Sequence, residues 1–271
     1  MTELETLYEK YHVISDGFQR LYIVDVRDRK FDLEYSTPVQ LTIDVPWGWE
    51  RSGPSDCWAK KTFRQRSWVR LLEEFVRYLQ AKAHTDENYL IAYRTDWSKA
   101  PIFSSKKTID NMVQISDSLF FSVNHTAVHS AWIIGDLLEL WELRGGTLII
   151  HRAPAGEPAE IREAIGKIRR AEFKNYLIDE QLKAPEKAEK IIKNVEVLNK
   201  FLAKTGTSFN DFFLIDSTRD LATYKSKLLK EIGSSPSWNE TQIATARKTL
   251  DYFTDYCTAL MQKTKSQRIQ F

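Results

Sequence analysis

The chain has 271 residues, 42% hydrophobic and 28% charged, with a net charge of +2 at pH 7. This is the profile of an ordinary globular protein long enough to bury a substantial core, and it excludes extensive disorder. So small a net charge excludes a polyanion partner unless the cations are clustered, and two cysteines far apart, Cys57 and Cys257, exclude a disulfide scaffold or a zinc–cysteine cluster.

The N-terminus, MTELETLYEKYH, is charged and lacks an apolar signal core. No apolar run reaches the ~18 residues of a membrane span. A cytoplasmic, reducing location is the expectation.

Thr2 to His12 reads as a short helix. Leu21 to Val26 reads as a strand, Asp28-Arg29-Lys30 as a turn, Phe31 to Tyr35 as extended chain and Val39 to Val45 as an alternating strand. The loop PWGWERSGPSDCW follows, with Trp47, Trp49 and Trp58. Tryptophans in a loop either pin it to the core or present flat faces to a ligand.

Ala59 to Ala83 reads as one helix, with Phe63, Trp68, Leu71, Leu72, Phe75, Val76 and Leu79 on its apolar side. Arg66, Arg70 and Arg77 share the opposite side, and Lys60, Lys61 and Arg64 crowd its first turns. Cations there oppose the helix dipole and call for a compensating anion. From Arg51 to Lys82 there are eight basic residues against three acidic ones (Asp56, Glu73, Glu74), an excess of five in a nearly neutral chain. A basic face beside tryptophans suits a nucleic-acid backbone and stacked bases. An ordinary solvated helix face gives the same pattern.

Tyr89 to Arg94 reads as a strand, and Asp96 to Lys107 as a polar loop with Trp97 and Lys99. Met112 to Ile115 and Leu119 to Val123 read as further strands. Ser122 to Arg152 is the most apolar stretch and holds three of the five histidines. It predicts a helix from His125 to Leu143 capped by Asn124, a stop at Gly145-Gly146, and a buried strand from Thr147 to His151 before Pro154. At ~100° per residue, His125, His129, Asp136 and Glu139 form one polar stripe on an otherwise apolar helix. Two imidazoles four residues apart with a carboxylate beyond can hold a divalent metal, so His125, His129 and Asp136 are a candidate metal set. The competing reading is a solvated or hydrogen-bonded stripe, because the internal glutamate of the zinc-protease pattern is missing.

After Pro154 the chain reads as helices. The first runs from Ala155-Gly156-Glu157-Pro158 to about Lys183. The second begins at Pro185, carries Ala188, Ile191, Val195, Leu198 and Leu202, and ends at Gly206. A third carries Leu221, Tyr224, Leu228 and Ile232. The last carries Ile243, Ala246, Leu250, Phe253, Cys257 and Leu260. The 3,4 spacing of the second and last stripes is that of helices packed nearly parallel or antiparallel, within a bundle or between subunits. The tail Lys263 to Phe271 is basic and reads as mobile.

The expected architecture is α+β: residues 1–153 as a mixed α/β domain with a short, largely antiparallel sheet, and residues 154–271 as a helical domain. No Walker A, GxGxxG or GxSxG pattern is present. A degenerate nuclease site is conceivable at Asp25 with Asp28-Arg29-Lys30, at Glu172-Phe173-Lys174, or where Glu157 and Glu160 follow His151. Three functions follow. The leading one is nucleic-acid binding through Lys60, Lys61, Arg64, Arg66, Arg70, Arg77, Trp47 and Trp49, with or without nuclease activity. The second is a subunit docking a protein partner or a second copy through its C-terminal helices. The third is a metal-dependent hydrolase using His125, His129 and Asp136.

Overall fold

The computed structural model describes residues 2–15, 19–50, 57–95, 97, 101–108, 111–153, 156–204, 211–215 and 217–268; for 218, 219 and 263–268 it describes the backbone alone. Arg51, Asp56, Asp96, Lys99, Pro154, Gly206 and the end of the basic tail lie outside the described residues. The described chain is α+β and forms two compact units, residues 21–156 and residues 1–20 with 157–271. The first twenty residues therefore group with the C-terminal helices, where a single division at 153/154 was expected. They contribute α1 (Glu3–Lys10) and β1 (Val13–Ser15).

The unit of residues 21–156 holds β2 (Arg20–Asp25), β3 (Ser36–Pro46), the single turn α2 (Trp47–Glu50), β4 (Trp58–Phe63), α3 (Trp68–Ala83) and α4 (Glu87–Ala92). Then come β5 (Phe103–Ser104), β6 (Met112–Gln114), β7 (Phe120–Ser122), α5 (Ala127–Leu140) and β8 (Arg144–Arg152). Within this unit the main sheet is antiparallel and ordered β2-β8-β3-β4; a small second sheet is ordered β5-β7-β6. Alternation along the strands puts Tyr22, Val24, Leu41, Ile43, Val45, Phe63, Leu148 and Ile150 into the core. Leu71, Leu72, Phe75, Val76 and Leu79 of α3 and Ile133, Ile134, Leu137 and Leu138 of α5 are buried too. Phe63 meets Phe75 edge to face, with ring centroids 5.8 Å apart.

Four expected elements change. The single helix over 59–83 is a strand followed by a helix: Ala59, Lys61 and Phe63 alternate with Lys60 and Thr62 and pair with β3, and α3 begins only after Ser67. The strand expected over 89–94 is α4, because Asp86 accepts the Asn88 N–H at 2.8 Å and starts a helix there. The helix expected from His125 starts at Ala127, because Thr126 rather than Asn124 is the cap, its hydroxyl accepting the His129 N–H at 3.2 Å. Phe31 to Tyr35, expected to be extended, is irregular and turned.

The end of α5 also differs. Glu142 takes the left-handed conformation (φ 51°), and the Leu143 N–H bonds back to the Leu138 carbonyl at 2.8 Å. The glycines thus lie inside β8. A Cβ on Gly146 would fall 2.6 Å from both Leu138 Cδ1 and Val26 Cγ2, so its role is close approach of α5 to the sheet.

In the other unit, α6 (Ala159–Asp179), α7 (Pro185–Lys204), a short 3-10 helix (Phe212–Leu214), α8 (Thr218–Ser234) and α9 (Glu240–Arg268) enclose a second core. The predicted stripes of α7 and α9 are consumed here: Ala188, Val195, Leu198, Leu202, Ala246, Leu250, Phe253 and Cys257 are all buried. Phe253 lies among the rings of Phe173, Phe212, Phe213 and Tyr256. Burial pushes the Cys257 thiol up to about 12, so it behaves as an apolar side chain. The N-terminal segment is tied in by Arg20, which bonds both Glu157 oxygens at 2.5 and 2.8 Å and the Leu214 carbonyl at 3.0 Å, and by Lys10–Glu160 at 2.8 Å.

Two outcomes follow. Gly146→Val should cost about 1–3 kcal/mol in urea unfolding, because it overpacks a closed contact. Phe253→Ala should cost about 3–5 kcal/mol. A variant that instead loses oligomers at unchanged unfolding free energy would place this stripe at a subunit interface.

Candidate nucleic-acid interface

The basic residues read as one helix face lie on two surfaces. In β4, Ala59, Lys61 and Phe63 point toward α3, and Trp58, Lys60 and Thr62 point to the outer side of the sheet. Lys61 is spent inward, 4.8 Å from the Tyr78 ring and 3.8 Å from Glu50. Tyr78 donates to Glu50 at 2.7 Å, and burial, with that carboxylate, raises its phenol pKa. Lys60 is exposed on the outer side, opposite Asp44 of β3. Arg64, just past the strand, donates to Gln40 Oε1 at 3.3 Å.

Arg66, just before α3, and Arg70 and Arg77 on it are exposed. Glu73 lies 3.1 Å from Arg77 and 3.8 Å from Arg70, so the face is partly neutralised within its own helix. Exposed pairs of this kind are worth little in stability and cost little to displace. Trp47 and Trp49 are half-buried in α2; the Trp49 ring packs on Tyr78 at 6.1 Å, and Lys82 bonds its carbonyl. They pin the loop.

The structure adds residues to the outer sheet face that the sequence did not single out. Arg144 pairs with Asp44 across β8 and β3, and its guanidinium lies 4.5 Å from the centre of the half-buried Trp58 ring. Thr42 and Thr62 hydrogen-bond across the strands at 3.2 Å. Trp58, Lys60, Thr62, Arg64 and Arg144 thus make one polar, net-basic patch around Asp44. Arg144 is distant in sequence from the basic stretch, and only strand pairing brings it in.

The metal candidates have other partners. His125 precedes α5, and its Nε2–H donates to the Ser122 carbonyl at 3.0 Å, leaving Nδ1 alone as a possible ligand atom. His129 stacks on Trp97 at 4.7 Å and 7°, with Trp132 at 5.5 Å. Asp136 is 4% exposed; it accepts the Trp97 indole N–H at 2.8 Å and pairs with Arg29. Among the described residues no three His, Cys, Asp or Glu side chains converge as a metal set. Arg29 of the degenerate nuclease motif belongs to this Asp136 cluster. Glu157 pairs with Arg20, Glu160 with Lys10 and Lys174 with Glu189, and Glu172 accepts from Tyr256. No described helix is long and apolar enough to cross a membrane.

Comparison with protein-family models, with curated proteins and with solved structures finds no match.

Burial holds the His125 imidazole below its usual pKa of 6.5, and nearby His129 adds to this. The folded state therefore favours the neutral ring. The contribution to stability is complete above pH ~6.5 and is lost as pH falls through the lower folded value. Unfolding measured from pH 7.5 to 5 should show wild type losing stability toward acid, with the loss reduced in His125→Gln. Equal pH dependence of the two proteins would remove His125 as its source.

Proposed function

We propose that the unit of residues 21–156 binds single-stranded nucleic acid on the outer face of its sheet. The observation that carries this reading is the Trp58–Arg144 stack, with Lys60 and Arg64 exposed beside it. A ring and a guanidinium plane both accept a base by stacking, and the flanking cations meet its phosphates. Thr42, Thr62 and Gln40 supply short polar groups for sugar and phosphate oxygens. Asp44 subtracts from the local charge and keeps the patch from being a purely electrostatic binder. Arg66 and the two arginines of α3, Arg70 and Arg77, which share Glu73, are assigned a secondary, steering role. No catalytic group enters this proposal.

Binding of a fluorescent dodecamer, single-stranded DNA or RNA, at low and moderate salt tests it. Lys60→Ala, Arg64→Ala and Arg144→Ala together should leave the fold intact and reduce the salt slope by roughly 0.7 per lost phosphate contact. Trp58→Ala should cost about 1–3 kcal/mol of binding with little change in slope. The triple change of Arg66, Arg70 and Arg77 should weaken binding less than the sheet-face triple. Absence of wild-type binding at low salt removes the proposal, and the reverse ranking of the two triples moves the site to α3.

A further inference from the structure

Asp44 sits on the outer sheet face in register with two cations. Strand pairing sets it opposite Lys60 of β4 on one side and opposite Arg144 of β8 on the other. Opposite charges so placed share a face and commonly pair. Here neither pair forms. Asp44 is half-buried, yet among the described residues its carboxylate has no hydrogen bond and no ion pair.

The geometry accounts for this. The Arg144 guanidinium is laid over the Trp58 ring, 4.5 Å from its centre. The pairing of β3 with β8 is irregular between Ile43 and Asp44. The carboxylate lies instead against Gly145, where a Cβ would fall 3.1 Å from Asp44 Oδ2. Gly145 also takes the left-handed conformation, with φ 55°, that favours glycine. Both oxygens of Asp44 are thus left uncommitted beside the one ring–guanidinium stack on this face.

Trp58 pairs with Pro46, two residues along β3 from Asp44, so ring and carboxylate are diagonal neighbours. Such neighbours lie roughly 7–8 Å apart, within reach of an aromatic group. A base stacked on Trp58 and Arg144 can therefore turn its Watson–Crick edge toward Asp44.

A carboxylate has two acceptor oxygens and no donor. Guanine alone among the bases presents two adjacent donors on that edge, N1–H and the N2 amino group. It meets a carboxylate with two parallel hydrogen bonds, the geometry that makes charge-assisted pairs strong and specific. Adenine and cytosine place one amino donor beside a ring-nitrogen lone pair, which a carboxylate repels. Thymine and uracil place one N–H between two carbonyls.

We propose that Asp44 selects guanine at the base position on Trp58 and Arg144. This rests on the proposed binding of single-stranded nucleic acid and adds a base preference to it. Lys60 and Arg64 hold the phosphates and are indifferent to sequence, whereas Asp44 weakens binding to every base except the one that satisfies it. If Asp44 served only to lower the local positive charge, its removal would strengthen binding to all bases equally.

The test is fluorescence anisotropy with labelled single-stranded thymine dodecamers whose two central positions are both guanine, both adenine or both hypoxanthine. Hypoxanthine keeps N1–H and lacks the N2 amino group. Wild type should bind the guanine strand about tenfold or more tightly than the adenine strand, the discrimination of one good bidentate pair. The hypoxanthine strand should fall between them. Asp44→Ala should bind all three alike, with the adenine strand bound more tightly than by wild type. Its circular dichroism should be unchanged, since Asp44 holds no other group. Wild type binding all three strands equally overturns this inference and leaves the binding proposal standing. So does a guanine preference that survives in Asp44→Ala, and so does hypoxanthine bound as tightly as guanine. No binding of any strand at low salt removes both.

Discussion

Strand β8 is hydrogen-bonded on both edges, to β2 on one side and β3 on the other, and much of the unit of residues 21–156 follows from that requirement. A central strand must satisfy its N–H and C=O groups in both directions, so the last strand of the unit has to insert between two that precede it in sequence. The insertion places Leu148 and Ile150 at the middle of the buried face and brings α5, which immediately precedes β8, onto that face. Gly146 lets the two approach, since a side chain there would collide with Leu138 and Val26. The same pairing carries Arg144 to Asp44 and hence to Trp58. The patch proposed to bind nucleic acid is thus a consequence of where β8 sits.

The unit of residues 1–20 and 157–271 depends on a different kind of contact. Its core is a cluster of aromatic rings around Phe253, and its N-terminal segment is held by the buried Arg20–Glu157 pair. A bidentate guanidinium–carboxylate pair with a third bond to a backbone carbonyl satisfies most of the donors it buries. Such pairs specify an arrangement more than they add stability, because desolvation offsets much of their attraction. Arg169 is nearly as withdrawn from water, and it ties α6 to the 3-10 turn through backbone carbonyls.

Charge on the outer surface is less concentrated than the sequence pattern suggested. Eight cations within a stretch of chain become a patch only if the backbone points them the same way. Here a strand and a helix share them: Lys61 turns inward onto Tyr78, Lys60 faces the opposite side of the sheet, and Arg70 and Arg77 share Glu73. The His125–His129 spacing illustrates the same point. Four residues apart means one helix face only if both residues are helical, and capping by Thr126 leaves His125 outside.

The sequence by itself determined the α+β class, the strands β2, β3, β6 and β7, the apolar stripe of α3 and the long C-terminal helices, because these rest on local periodicity, capping residues and proline or glycine punctuation. It also determined that α7 and α9 would present continuous apolar faces. Tertiary structure decided what those faces meet, since Leu198 or Phe253 looks the same in sequence whether its neighbour is in this chain or another. It decided that residues 1–20 join the helices, through Arg20 and Glu157, 137 positions apart. It decided that residues 58–63 form a strand, because pairing with β3 supplies hydrogen bonds that outweigh a helical propensity shared with α3. And it alone assembled Trp58 with Arg144, because side chains far apart in sequence come together only when strand register is fixed.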